Sequence, residues 1–165
     1  MKFNLYNEIV LEPSDYLALL KSQIENQPHI PIQPNYQTTH GVVIEQIIPK
    51  TGIYLIYKTI NSKTELLYIG CTINSIHSRL GRYFAAARGT QRFDENHPAG
   101  EKHREILNED FDDMTMKFIH FDFSSLVDVI IEDLELLLIN ELQPIFNSEN
   151  YKNFFFEKQL RIIKK

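Results

Sequence analysis

A single cysteine, Cys71, among 165 residues excludes an internal disulfide and any cysteine-rich zinc site. No apolar run reaches 18 residues, so there is no candidate membrane span. The opening residues, MKFNLYNEIVLEP, lack a signal-peptide pattern, and a cytosolic protein is expected. Positive charge is also short: 17 Lys and Arg stand against 22 Asp and Glu, a net charge of −5. That balance argues against a general DNA coat protein, whose affinity comes from neutralised phosphates. No Ser-His-Asp or Cys-His grouping stands out. What remains is ordinary for a folded protein, with 43% hydrophobic and 24% charged residues, enough for one domain with a core and an extension.

The charge is unevenly placed. From His77 to Arg104, six basic residues (Arg79, Arg82, Arg88, Arg92, Lys102, Arg104) face three acidic ones (Asp94, Glu95, Glu101). This 28-residue window carries +3, which leaves −8 for the rest of the chain. A cationic patch on an acidic body is what a phosphate-binding cleft requires, although a solvated helix surface gives the same count.

The stretch from Thr51 to Tyr83 organises the rest. Ile53 to Tyr57 and Leu66 to Ile69 are β-branched or aromatic runs around a polar segment, Thr59 to Thr64, which reads as an antiparallel hairpin. Period 2 places Tyr54 with Ile56 on one face of the first strand, and Tyr68 with Leu66 on one face of the second. Thr72 or Asn74 is positioned to cap a following helix that begins near Ile73. On that helix Arg79 and Tyr83 lie four apart, on one side. Two phenols, a guanidinium and a third phenol can therefore converge.

Elsewhere the patterning is simpler. Pro13-Ser14-Asp15 opens a helix to about Glu25, and three prolines (Pro28, Pro31, Pro34) mark a loop or extended connector. Val42 to Ile48 suits an extra strand. A polar loop follows Arg88, then a short helix from Gly100 to Leu107. Met114 to Phe123 suits a third core strand. Ser124 or Ser125 caps a long helix, apolar almost all round from Leu126 to Leu142, hence largely buried. Glu135 lies inside it. A carboxylate there is costly unless it is paired or bound to a cation, and Asp128 or Glu132 on the same side are alternative members of a polar network. The tail contains Phe154-Phe155-Phe156, which suits packing.

Gly52-Ile53-Tyr54, Tyr68-Ile69-Gly70, Arg79-Leu80-x-x-Tyr83-Phe84 and Glu135 with Pro144 and Asn147 occur in that order across residues 52 to 147. In this the chain resembles the GIY-YIG nuclease family, and the arginine helix is similar to that of the nuclease domain of the bacterial excision-repair incision enzyme. The resemblance implies an α+β fold: a small central three-stranded antiparallel sheet flanked by helices. It divides the chain into an amino-terminal arm (residues 1–49), a nuclease domain (50–148) and a tail packing on it (149–165). The arm suits capping of the core, target recognition or dimerisation.

The resemblance implies magnesium-dependent DNA hydrolysis, with manganese as the alternative ion and water attacking in line. The catalytic set it implies is Tyr54, Tyr68, Arg79, Tyr83, Glu135 and Asn147. Tyr54 or Tyr68 would help deprotonate the water, and Arg79 would hold the developing negative charge. Glu135 would be the metal ligand, Tyr83 would hydrogen-bond near the nucleophile, and Asn147 would pin local geometry or touch phosphate. Arg82, Arg88, Arg92, Lys102, His103 and Arg104 are the candidates for DNA contact. Cys71 departs from the repair enzyme, which has an assisting lysine there; Lys58, Lys63 or His77 are the available substitutes. Restriction, phage or mobile-element settings all suit such an enzyme. The alternatives are a binding module that kept the fold and lost turnover, and a nuclease effector or toxin. Cutting both strands with one site per chain would call for a homodimer or sequential nicking.

Overall fold

The computed structural model describes residues 13–37, 41–44, 51–90, 97–120 and 127–147. The hairpin forms as its composition directs. Strand β3 (Gly52–Ile60) pairs antiparallel with β4 (Lys63–Thr72), and Asn61 and Ser62 turn the corner at positive φ. Strand β5 (Met114–His120) lies along the other side of β3, also antiparallel. These three strands are the expected core.

The sheet is larger than three strands. Ile30–Asn35 forms β1 and Gly41–Ile44 forms β2, giving five antiparallel strands in the order β2-β1-β5-β3-β4. The proline-rich connector is thus a strand. Its prolines are tolerated because its two ladders scarcely overlap: Ile30 and Pro31 pair with β5, whereas Ile32 to Asn35 pair with β2. Ile30 and Ile32 alternate inward with Pro31 and Gln33 outward, the half-buried strand period hidden behind the prolines. Residues 45–48 of the expected extra strand lie outside the described residues.

Helices cover both faces, so Ile53 to Ile56 of β3 are buried without a break. On one face α2 (Ile76–Ala87) and α3 (Pro98–Leu107) pack Leu80, Tyr83, Phe84 and Ala99 against Tyr54, Ile56 and Phe118. On the other, α1 (Pro13–Asn26) and α4 (Val127–Leu142) pack Leu20, Ile24, Ile131 and Leu138 against Ile53, Leu55 and Ile69. Lys117 of β5 donates to the Ile24 carbonyl at 2.9 Å, a cation closing the C-terminal end of α1. Helix α2 begins three residues later than the sequence suggests. Ser75, in extended conformation, caps it by accepting from the Ser78 N–H, and Thr72 instead braces Ser75 with a 3.1 Å bond.

A β-bulge changes one expected facing. The ladder slips between Ile56 and Tyr57, so Ile56 opposes Tyr68 while Tyr57 opposes Leu66. The extra residue, Leu67, keeps Tyr68 on the α2 face and sends Leu66 to the α4 face. Tyr68 and Leu66 therefore part company, contrary to strict period 2. After α4 the chain runs beside the outer edge of β4: the N–H groups of Ile145 and Phe146 bond to the carbonyls of Leu66 and Leu67. The edge strand is covered over that length.

Candidate active site

Two glycines make the hairpin end compact enough for a site. A Cβ on Gly52 would sit 2.1 Å from the Ile119 carbonyl oxygen, so β5 passes where only hydrogen fits. Gly70 faces Tyr54 in the ladder, and a Cβ there would meet the Tyr54 Cζ and hydroxyl at 2.5 Å. The missing side chain lets the Tyr54 phenol lie across β4. Its hydroxyl shares a hydrogen bond with Tyr68.

A line of aromatic rings follows. Tyr54 and Tyr68 have centroids 6.0 Å apart, and Tyr68 stacks on Tyr83 of α2 at 6.2 Å and 24°. His97, at the start of α3, meets both edge-on, 5.4 Å from Tyr68 and 5.5 Å from Tyr83. Tyr54 and Tyr83 are fully buried; Tyr68 is half-buried and keeps contact with solvent. Burial raises the Tyr54 pKa above the usual phenol range, Glu135 adds repulsion, and Arg79 partly offsets both. Tyr83 is raised for the same first reason, with Tyr54 adding to it.

Arg79 is the electrostatic centre. Its guanidinium is exposed, yet its charge acts on Tyr54, Cys71, His97 and Glu135 together. Glu135 reaches this point from α4, half-buried. Burial pushes its pKa up to about 7; the Cys71 thiol, donating to the carboxylate, and Arg79 pull it down, while exposed Glu132 pushes it up. Burial likewise raises Cys71, and the adjacent carboxylate raises it further. A thiol so placed is a hydrogen-bond donor rather than a nucleophile.

Asn147 acts on backbone. Its Oδ1 accepts from the Ile69 N–H and its Nδ2 donates to the Ile69 carbonyl, both at 2.9 Å. The two bonds clamp the strand one residue before Gly70, so the pinning alternative describes this side chain. Of the alternatives for the missing lysine, Lys58 is 3% exposed and bonded to Asp110 at 2.9 Å, which removes it from the site. Lys63 pairs with Glu65 at 2.6 Å, and His77 is exposed on α2.

The DNA-contact candidates divide. Arg82 and Arg104 are exposed, Lys102 is half-buried, and Arg88 is half-buried with its guanidinium 5.5 Å from the Tyr36 ring centre. His103 is a correction: it is 0% exposed, stacked on Phe111 at 4.9 Å and hydrogen-bonded within the core, so phosphate cannot reach it. Arg92 lies outside the described residues, as do Ser124, Ser125 and the tail 149–165; for Asp128 only its place in α4 is described. Sequence reasoning missed His97. Its only signal is a His-Pro helix start, which says nothing about where the imidazole points.

Among the described residues, no three His, Cys, Asp or Glu side chains gather as a metal cluster. The donor set is one desolvated carboxylate beside one protonated thiol. This fits a hard divalent cation with a single protein ligand, its shell completed by water and phosphate oxygens, and such a cation would relieve the desolvation that raises Glu135.

The buried titrating groups set a pH dependence. Burial, with Arg79 nearby, lowers His97 to about 4, and burial, with Lys58 nearby, lowers His103 to about 4. Between pH 4 and 6.5 the unfolded chain holds more protons at both histidines, so stability rises with pH there. Glu135, raised from 4.5 to about 7, acts oppositely between those values. Two groups outweigh one until the histidines finish titrating. Urea denaturation of the metal-free protein should therefore show stability climbing from pH 4 to about 6.5 and declining slightly by pH 8. A flat profile through pH 4–6.5 would mean that the two imidazoles are not buried neutral.

The family model for the GIY-YIG catalytic domain matches residues 50–150. No curated protein and no solved structure gives a significant match.

Proposed function

The chain belongs to the GIY-YIG family, and from that membership we propose that it is a DNA endonuclease that hydrolyses phosphodiester bonds with a magnesium ion bound at Glu135. GIY-YIG domains are generally endonucleases, and the fold is of that nuclease type. The observation that carries the proposal is the reach of one exposed guanidinium, Arg79, over Tyr54, Cys71, His97 and Glu135 at the end of the hairpin.

Each side chain has a distinct task. Arg79, open to solvent, binds the scissile phosphate through its planar fork and holds the charge that develops on its oxygens. Tyr68 is the tyrosine that still meets solvent, so it contacts the attacking water, and Tyr54 takes the hydrogen bond that orients it. Asn147 holds β4 still behind them. Glu135 would hold the magnesium, with manganese the natural substitute; the ion would supply neutralisation of the leaving 3′ oxygen. Arg82 and Arg104, exposed on α2 and α3, contact backbone phosphates on either side.

Purified protein incubated with plasmid DNA and magnesium should convert supercoiled to nicked or linear forms, and EDTA should stop the conversion. DNA left intact across many unrelated plasmids would overturn the assignment. One observation favours a second reading, a module that binds nucleic acid with little turnover: Cys71 stands in place of the assisting lysine, and Lys58 and Lys63 are engaged by Asp110 and Glu65. That reading expects metal-independent DNA binding, detectable by mobility shift, without cleavage. Sedimentation during cleavage would show whether two chains act on the two strands.

A further inference from the structure

Tyr83 and His103 form a buried pair whose polarity can be assigned. His103 Nε2 lies 3.1 Å from the backbone carbonyl of Asp110, a group that only accepts. Nε2 must therefore carry the hydrogen. The ring is enclosed by Phe111, Phe146 and Tyr83, with the Lys58 ammonium nearby, surroundings that keep the imidazole neutral. Its Nδ1 is then a bare lone pair, and it sits 2.8 Å from the Tyr83 hydroxyl. The Tyr83 hydroxyl must donate to it. Having spent its only hydrogen there, the Tyr83 oxygen can offer the neighbouring site nothing but a lone pair.

We propose that His103 is a positioning residue: it fixes the Tyr83 hydroxyl as a hydrogen-bond acceptor toward the active site, where Tyr83 receives a hydrogen bond from the attacking water. The inference rests on the hydrolytic reading of this site and adds a direction to one of its hydrogen bonds. Tyr83 stacks on Tyr68, the tyrosine that meets solvent, so the polarity set at His103 is delivered beside the nucleophile. The support continues behind the imidazole. Lys58, 3% exposed, donates to the Asp110 carboxylate at 2.9 Å and to the Asp112 carbonyl, which fastens the turn that presents the Asp110 carbonyl. Gly100 permits the approach of α3 to α2 on which the pair depends, since a Cβ there would lie 2.4 Å from the Tyr83 carbonyl oxygen. A buried lysine, a backbone carbonyl and an imidazole thus line up to orient one phenol. Packing alone would ask for none of this, because a phenylalanine would fill the place of Tyr83.

Two measurements test it. Long-range nitrogen–proton NMR of imidazole-labelled protein at neutral pH should show His103 as the Nε2–H tautomer. Its Nδ1 resonance should move in Tyr83→Phe. An Nδ1–H tautomer, or an Nδ1 resonance unmoved in Tyr83→Phe, overturns the proposal, and neither readout depends on cleavage. In the second arm, Tyr83→Phe, His103→Phe and the double variant are compared as nucleases. His103→Phe keeps the ring against Phe111 and deletes both polar bonds. Each single variant should lower kcat about tenfold with KM for DNA unchanged, and the double variant should fall no further than the singles. Multiplying losses, or full kcat in Tyr83→Phe, would show that His103 does not act through this hydroxyl. If His103→Phe fails to fold, Tyr83→Phe and the NMR readout still decide. A correct tautomer in a protein that cuts no DNA would refute the hydrolytic reading and leave the tether standing.

Discussion

Glu135→Gln should yield a protein that no longer cuts DNA and yet melts at a higher temperature than the parent when both are free of metal. The carboxylate is held half-buried, and burial raises its pKa to about 7. At pH 8 it is ionised in the folded chain at a cost on the order of 2 kcal/mol, after allowing for its partial exposure. Glutamine keeps the shape and accepts the Cys71 thiol hydrogen bond without that cost. A gain of roughly 5 °C is expected at pH 8. The gain should vanish as the pH falls below 4.5, where Glu135 becomes protonated in both the folded and unfolded chains. Cleavage should fall by about 10³-fold or more, because the ligand proposed for the ion is lost. Thermal melting with and without magnesium separates the effects. If Glu135→Gln melts lower than the parent at pH 8, the carboxylate is a satisfied structural group and not a ligand in waiting.

Arg79→Ala should reduce the cleavage rate by roughly 10²–10³-fold, with little change in melting temperature. The side chain is exposed, so removing it opens no cavity. Arg79→Lys is the more instructive variant. It keeps the positive charge that acts on Tyr54, Cys71, His97 and Glu135 but lacks the planar fork that binds two phosphate oxygens at once. It should restore most DNA affinity and, at best, about a tenth of the turnover. Steady-state kinetics on a short duplex would separate the two quantities. Full activity in Arg79→Lys would show that the guanidinium supplies only a background field.

The parts of this site that could be read in the chain are the local ones. Two β-prone runs around a polar turn specify β3 and β4, and an acid set between leucines in a largely apolar helix announces its own expense. The arrangement across elements was less legible. Strict alternation put Tyr68 and Leu66 together, and a single bulged residue, Leu67, separates them. The prolines at 31 and 34 hid a strand, since their disqualification holds only where both edges are paired. His103 stands in a basic window that places it among the phosphate contacts, and spacing along α3 does not show that Phe111 and Phe146 close over it. His97 precedes a proline at a helix start, and no pattern in its neighbours points to Tyr68 and Tyr83. Each of these depends on a partner eight or more residues away or on a register slip, quantities that local periodicity does not carry.

Direct titration of the protein with Mn²⁺ by calorimetry, in the presence of a short duplex and with Glu135→Gln alongside, is the decisive measurement. One ion per chain binding to the parent, and none to Glu135→Gln, is the expected result. Equal binding to both proteins would contradict it and move the metal, and with it the chemistry, away from the hairpin end.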